Sequence, residues 1–207
     1  MAKSGILILT SPLGHLKPLL PRVLEEVSAA VSDTLYVCLQ PQVHSPLLQP
    51  ISSTQEVKDF ISGVYLHGSS ACTSLDIRVL LAHILNDPAS SISNYSLRKE
   101  ISYCFTDSVN FNGIWNKDKL SFIKSLQTNF TSVDPECIMH LVNTSPDKQI
   151  KTLPSKLLNT YKNVVVGGTF DYLHNGHKSL LTECCLRCEQ KLIVGITDGE
   201  RNKSKDK

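Results

Sequence analysis

Apolar residues recur along the chain at two spacings, which predict buried strands and amphipathic helices. Short runs rich in valine, isoleucine and leucine are typical of buried strands, and they occur at residues 6–10, 35–39, 101–105, 136–142, 163–166 and 191–196. Apolar residues three or four positions apart indicate helices, which are predicted at residues 18–31, 55–65, 74–85, 117–129 and 178–188. Strands that alternate with helices predict a parallel α/β sheet rather than a helical bundle.

Residues at the predicted turns and helix ends agree with this pattern. The prolines of the helix predicted at 18–31 fall in its first turn, where proline is tolerated. Ser53 or Thr54 precedes the helix predicted at 55–65, and either hydroxyl can serve as its N-cap. The polar segment 86–94 follows neither apolar period and is predicted to be a loop.

The chain divides into two predicted units. Residues 1–145 hold enough strands and helices for an α/β domain of their own, whose role the residues do not specify. Residues 146–160 are predicted to be a linker, and residues 161–207 hold one strand, one helix and one strand. A single βαβ unit is smaller than the roughly 100 residues that a domain usually needs.

The composition is that of a globular protein and disfavours several classes of partner. Of the 207 residues, 41% are hydrophobic and 19% are charged, and the net charge of +2 gives no electrostatic reason to expect nucleic acid. No apolar run approaches the about 20 residues of a transmembrane helix, and the N-terminus lacks the apolar core of a secretory signal. Seven cysteines, several inside apolar runs, are typical of free thiols in a reducing compartment. We therefore expect an intracellular protein.

Three of these cysteines lie close together in the sequence. Cys184, Cys185 and Cys188 fall within one predicted helix and cannot complete a tetrahedral metal site by themselves. Packing is the preferred interpretation, and no metal site is expected.

The stretch VVVGGTFDYLHNGH at residues 164–177 carries the candidate chemistry. Gly167 and Gly168 end a predicted strand, where parallel sheets place their ligands and where a missing Cβ lets a phosphate approach the backbone. The following helix offers its N-terminal N–H groups to the same anion, and His174 and His177 can donate to phosphate oxygens. Asp171 can bond within the loop or help to place Mg²⁺ indirectly. The stretch predicts a phosphate-binding loop.

The segment GTFDYLHNGH at residues 168–177 resembles the G-T-F-D-x-x-H-x-G-H signature of the nucleotidyltransferase superfamily. Extended to residues 166–178, it resembles the phosphopantetheine adenylyltransferase part of bifunctional coenzyme A synthases. Residues 34–41 and 75–81 are similar to the leading region of those proteins. The resemblance implies a Rossmann-like N-terminal domain, followed by the first βαβ unit of a nucleotidyltransferase domain.

The same resemblance implies a reaction and its participants. The 4′-phosphate of 4′-phosphopantetheine attacks the α-phosphate of ATP, which carries Mg²⁺, and the products are dephospho-coenzyme A and pyrophosphate. His174 and His177 are the implied catalytic residues. The implied substrate-binding residues are Gly167, Gly168, Thr169, Phe170, Asp171, Gly176, Lys178, Lys203 and Lys205. The family association implies a cytoplasmic or mitochondrial location, with peripheral rather than transmembrane attachment.

Two motifs of the resembled proteins do not occur in these residues. There is no G-x-x-x-x-G-K-[ST] for a kinase half, and no I-S-[ST]-[ST] stretch of the second nucleotidyltransferase signature. We therefore expect an N-terminal fragment or short isoform that is inactive by itself. Two alternatives remain: another cytidylyltransferase-like enzyme, and a non-catalytic regulatory or scaffolding protein.

Overall fold

The computed structural model describes residues 3–39, 53–81, 97, 99–107, 133–142, 144 and 155–197. The strands in this part of the chain are β1 (Ser4–Leu9), β2 (Thr34–Leu39), β3 (Asp76–Leu80), β4 (Ile101–Asp107), β5 (Val133–Val142), β6 (Tyr161–Gly168) and β7 (Cys188–Ile196). The helices are α1 (Leu13–Leu16), a 3-10 turn (Lys17–Leu19), α2 (Leu20–Ser28), α3 (Gln55–Ala71) and α4 (Asn175–Arg187).

The first five strands form one sheet in the order β3-β2-β1-β4-β5. Every neighbouring pair in it is parallel, which confirms the predicted Rossmann-like α/β fold. The chain adds β2 and then β3 on one side of β1, and it then adds β4 and β5 on the other side. In sheets of this kind the ligand crevice lies where the strand order reverses, which here is between β1 and β4.

Both faces of the central strands are buried. Leu7 and Leu9 of β1 pack in the core beneath α1, α2 and α3, whereas Ile6 and Ile8 pack in a second core on the opposite face. All six residues of β1 and of β2 are buried. A strand covered on both sides reads as a continuous apolar run, and for this reason these strands are visible in the sequence.

The helix predicted at residues 74–85 is wrong over the residues that the structure describes. Residues Asp76–Leu80 form β3, which pairs with β2 in the register Leu35↔Ile77. Its apolar residues fit a helix or a strand, and the β-branched Ile77 and Val79 together with the open edge of β2 favour the strand. Residues 82–85, and the whole helix predicted at 117–129, lie outside the described residues.

Two helices are confirmed with altered boundaries. The predicted helix 18–31 is observed as a 3-10 turn followed by α2, with proline at the start of each element. Thr54 is the N-cap of α3, and its side chain accepts a hydrogen bond from the Val57 amide at 3.3 Å. The helix continues past the predicted end at residue 65 to Ala71.

The second unit consists of β6, α4 and β7, as the sequence predicts. The two strands are parallel, in the register Val165↔Ile193. Part of the predicted linker packs against the first unit, because the Leu158 amide donates to the Ser53 carbonyl at 3.0 Å and the Leu158 side chain is buried in the core beneath α3.

The seven cysteines, all of which lie in the described part of the chain, are thiols rather than disulfides. Cys104 of β4 is buried, and burial raises the pKa of its thiol to about 12, with a further contribution from the nearby Cys137 and Cys38. Cys184, Cys185 and Cys188 are half-buried, and burial raises the pKa of Cys184 and Cys185. None of the helices in the described part of the chain is both long and apolar enough to cross a membrane.

Candidate functional site

The candidate site lies at the carboxyl end of the two-stranded sheet. β6 ends at Gly168, a loop of residues 169–174 follows, and α4 begins at Asn175. The Thr197 amide donates to the Gly168 carbonyl at 3.1 Å, so the carboxyl ends of β6 and β7 are held together beside the loop. The arrangement is the strand-turn-helix that the motif predicts.

Glycine is required for different physical reasons at positions 167 and 168. A Cβ on Gly168 would lie 2.9 Å from the Phe170 ring, so Gly168 makes room for that ring. Phe170 itself has a φ of 47°, a conformation that is rare for residues other than glycine. A Cβ on Gly167 would have no neighbour within 4 Å. Glycine at position 167 therefore leaves the backbone open to close approach by a ligand, whereas glycine at position 168 leaves room for the Phe170 ring.

His174 is the N-cap of α4, a role that the sequence analysis missed. Its Nδ1 accepts hydrogen bonds from the Gly176 amide at 3.1 Å and the His177 amide at 3.4 Å. Because Nδ1 accepts, the proton of the neutral ring lies on Nε2. A neutral His174 can therefore cap the helix with one nitrogen and donate to a phosphate with the other.

In His177 the two ring nitrogens have the opposite roles. Its Nδ1 lies 3.0 Å from the Tyr172 carbonyl, which can only accept, so Nδ1 carries a proton. Its Nε2 accepts when the ring is neutral and donates only when the ring is cationic. The two imidazoles are stacked with centroids 3.9 Å apart, and the Phe170 ring lies 4.9 Å from that of His177. The Nε2 of His174 can thus donate when its ring is neutral, whereas the Nε2 of His177 can donate only when its ring is protonated.

Lys178 is placed differently from the expectation that it binds ATP. Its Nζ donates to Asp76 Oδ1 at 2.5 Å, to the Ile77 carbonyl at 2.9 Å and to Asn175 Oδ1 at 3.3 Å. The side chain is only 12% exposed. In this structure the ammonium therefore binds the N-terminal unit, and ATP binding by Lys178 stays a prediction.

The structure brings most of the remaining predicted residues into the same loop. Thr169 and Phe170 are half-buried there, and Asp171 is exposed. Gly176 lies in the first turn of α4. Lys203 and Lys205 lie outside the described residues. The loop and the start of α4 thus unite two imidazoles, a threonine hydroxyl and the N–H groups of a helix end.

Gly176 must be small because the His174 ring folds over it. A Cβ at this position would lie 3.0 Å from both Nδ1 and Cε1 of that ring. Gly176→Ala is therefore expected to displace the cap and to lower the stability of α4 by about 0.5–2 kcal/mol, the usual value of an N-cap. Urea unfolding followed by helix circular dichroism measures this loss. The matched control is Gly63→Ala in α3, where the nearest atom is 3.3 Å away at the end of a leucine side chain; an equal loss in both variants would contradict the capping role.

Asp76 couples the site to the first unit and has a perturbed acidity. Burial tends to raise its pKa, but hydrogen bonds from Lys178 and Arg78 outweigh burial and lower the pKa from its ordinary value of 3.8. The carboxylate is thus stabilised in its charged form.

A pH dependence follows from this lowered pKa. Because the folded protein holds Asp76 charged, its contribution to stability is complete above pH 3.8 and declines as the pH falls through the lower folded pKa. The difference in free energy of unfolding between the wild type and Asp76→Asn is therefore expected to shrink in acid. Urea titrations of both proteins at a series of acidic pH values measure it. A difference that stays constant or grows as the pH falls would contradict the assigned pairing.

A second crevice, between β1 and β4, is filled by the chain's own residues. Asp107 at the end of β4 is fully buried. Its carboxylate accepts from the Thr10 amide at 2.9 Å, the Thr10 hydroxyl at 2.6 Å, the Ser11 amide at 2.7 Å and the Ser11 hydroxyl. An internal carboxylate thus occupies the donors that a phosphate would use at this point of a Rossmann-like sheet. The sequence analysis missed Asp107; an aspartate that ends an apolar strand was the available signal.

The fold and the loop define the class of protein, and comparisons with known families agree. A model of the cytidylyltransferase-like family matches residues 165–207, which include the loop and α4. These residues are thus similar to a cytidylyltransferase-like domain, which supports a nucleotidyltransferase. A model of the COASY N-terminal domain matches residues 3–115, more than half of the chain. The chain belongs to the COASY N-terminal domain family, and the combination of the two matches is that of a coenzyme A synthase-like nucleotidyltransferase.

Curated relatives match parts of the chain. A phosphopantetheine adenylyltransferase of Pyrococcus furiosus is 49% identical over 45 residues, which are 22% of this chain and 28% of that protein. An uncharacterized protein of Schizosaccharomyces pombe is 35% identical over 79 residues, which are 37% of this chain and 25% of that protein. The chain thus spans little more than a quarter of the length of these relatives. No solved structure matches.

Proposed function

We propose that the loop of residues 167–177 binds ATP and 4′-phosphopantetheine and supports adenylyl transfer between them. The observation that carries the proposal is the placement of the His174 and His177 imidazoles, stacked 3.9 Å apart, at the N-terminus of α4. The cytidylyltransferase-like family match covers these residues. Similarity to a phosphopantetheine adenylyltransferase supports the choice of substrates.

The proposed reaction is a direct displacement. A 4′-phosphate oxygen of phosphopantetheine forms a bond to the α-phosphorus of ATP, and the bond from that phosphorus to the bridging oxygen of pyrophosphate breaks. Negative charge grows on the oxygens around the α-phosphorus and on the leaving group. The protein's part is to position the two phosphates and to stabilise that charge.

Each group of the loop has a role in this proposal. His174 donates from Nε2 while it caps the helix, and its orientation is fixed because Nδ1 is already bonded to two amides. His177 offers its Nε2 to the phosphates, and its ring is held by the hydrogen bond from Nδ1 to the Tyr172 carbonyl. The N-terminal N–H groups of α4 add a partial positive charge, and the Thr169 hydroxyl can hold the acceptor phosphate.

Mg²⁺ enters as part of the MgATP substrate. Within the described residues, no group of three or more His, Cys, Asp or Glu side chains is arranged to hold a metal ion. In this proposal the phosphates of ATP carry the ion, and Asp171 is an acidic side chain of the loop.

The reaction is tested by product formation with defined substrate pairs. The measurement uses a longer polypeptide that includes residues 1–207. Pyrophosphate and dephospho-coenzyme A are expected from ATP with 4′-phosphopantetheine, and little pyrophosphate from CTP with phosphocholine. Turnover of the CTP pair alone would assign the site to a different cytidylyltransferase-like reaction, and turnover of neither pair would refute the proposal.

We infer that a polypeptide of these 207 residues alone does not catalyse the transfer. The two-stranded sheet leaves large apolar side chains exposed, such as Val165 at 71% and Ile196 at 67%. We expect weak binding of phosphate at the helix end and no pyrophosphate release from ATP with 4′-phosphopantetheine. Robust release by the purified polypeptide would contradict this inference.

A further inference from the structure

Helix α4, which begins with the histidine motif, is buried against the N-terminal unit. The two buried residues of α4 are Thr182 and Leu186. Leu186 belongs to the same core as Leu7 and Leu9 of β1, and the Thr182 hydroxyl is hydrogen-bonded to Tyr65 of α3. The helix that carries the motif therefore draws its buried contacts from a different unit of the chain.

The contacts with the first unit continue into the motif itself. The Asn175 amide group donates to the Tyr65 carbonyl at 3.4 Å and to the Ser69 hydroxyl at 3.2 Å. Lys178 donates to Asp76 and to the Ile77 carbonyl. Asn175 and Lys178 lie on either side of His177 in the sequence, so the first turn of α4 is hydrogen-bonded to the N-terminal unit both before and after the histidine.

Asp76 is the charged partner of Lys178 in these contacts. It lies at the start of β3. Its Oδ2 accepts a hydrogen bond from Arg78 at 2.8 Å, and its Oδ1 accepts one from Lys178. A lysine whose side chain is only 12% exposed needs a charged partner for its ammonium, because an unpaired buried charge is strongly destabilising. Asp76 supplies that partner, so the position of Lys178, and with it the first turn of α4, depends on the N-terminal unit.

We propose that the N-terminal unit is a positioning support for the nucleotide site, with Asp76 as its central positioning residue. Asp76 acts through Lys178 and Asn175 on the backbone that carries His174 and His177. The consequence for catalysis rests on the function proposed above, whereas the mechanical role stands on the contacts alone. The proposal gives residues of the family's N-terminal domain a defined task in a protein whose own β1–β4 crevice is closed by Asp107.

The support is tested in the full 207-residue chain by hydrogen exchange. The amides of residues 178–182 report on the first turns of α4, where the Lys178 amide is bonded to the His174 carbonyl. Asp76→Asn and Lys178→Met are each expected to accelerate their exchange by about tenfold or more, since a hydrogen bond to a charged group is lost. Lys178→Arg, which keeps the charge and the donors, is expected to retain most of the protection.

The matched control removes another ion pair of the same interface. Lys58 of α3 binds Glu183 of α4 at 3.2 Å, with side chains 23% and 36% exposed. Both side chains are more exposed than that of Lys178, and Glu183 lies beyond residues 178–182, so Lys58→Met is expected to leave exchange at those residues unchanged. Slow exchange at Ser4–Leu9 confirms that each variant retains the first sheet; a variant that fails this check is replaced by the other member of the pair.

A second measurement separates the support from the proposed function. The dissociation constant of MgATP is determined for the same variants, and Asp76→Asn is expected to weaken binding although Asp76 lies outside the loop. Faster exchange without any MgATP binding by the wild type would uphold the support and refute the proposed function. Wild-type exchange rates in both Asp76→Asn and Lys178→Met would overturn the support, whether or not MgATP binds.

Discussion

Replacing His177 with alanine is expected to lower kcat for adenylyl transfer by about 10²–10³, the usual cost of removing one charge-stabilising donor. The expectation applies to the proposed reaction, measured in a longer polypeptide that includes residues 1–207. The hydrogen bonds that cap α4 are accepted by the Nδ1 of His174 and not by the side chain of His177. The loss should therefore fall on turnover more than on stability. Steady-state kinetics with ATP and 4′-phosphopantetheine measure it.

The control for this substitution is another histidine outside the loop. His67 lies in α3 and is half-buried, and His67→Ala is expected to retain wild-type kcat. Unchanged turnover in His177→Ala would refute its assigned role. An equal loss in both variants would show that histidine replacement damages the fold rather than the chemistry.

The second large effect concerns the core of the first unit. Phe60 of α3 is 1% exposed and packs in the core beneath the helices. Phe60→Ala is expected to lower the free energy of unfolding by about 3–5 kcal/mol, because it removes a buried aromatic ring and leaves a cavity. Urea denaturation followed by circular dichroism measures the change.

The same helix provides the control. Leu66 is 69% exposed, and Leu66→Ala is expected to change the free energy of unfolding by less than about 0.5 kcal/mol, as is usual for surface positions. A similar loss at both positions would contradict the observed packing of α3. Since α3 also contacts α4, Phe60→Ala is further expected to speed hydrogen exchange in α4.

The elements that could be predicted from the sequence are those whose signals are local. β1 and β2 are buried on both faces, and their continuous apolar runs are distinctive. The cap of α3 follows from a threonine directly before a helical period. The strand-turn-helix of β6 and α4 follows from paired glycines between two apolar patterns.

The elements that were missed depend on partners distant in the sequence. Asp76–Leu80 has an ambiguous apolar pattern, and pairing with β2 decides its conformation. The end of α3 at Ala71 was also missed, because residues 66–71 are held partly by contacts with α4, such as that of Ser69 with Asn175. Spacing alone reports neither kind of contact.

Within the candidate site, residue positions were predictable and side-chain directions were not. The motif predicts that His174 lies beside a phosphate, but whether Nδ1 or Nε2 is available to donate depends on the backbone amides of Gly176 and His177. Lys178 follows the motif and carries the charge expected for ATP binding. Its direction toward Asp76 depends on where β3 lies, and the apolar pattern of that segment predicts a helix instead of a strand.

The most direct test of the central claim is to locate MgATP binding on the 207-residue chain by NMR. We expect MgATP to shift the amide resonances of Gly167, Gly168, Gly176 and His177 and the imidazole resonances of His174 and His177. Amides near Asp107, in the closed β1–β4 crevice, should not shift. Shifts confined to that crevice, or no shifts at the loop at millimolar MgATP, would contradict the assignment of the nucleotide site to the loop and α4.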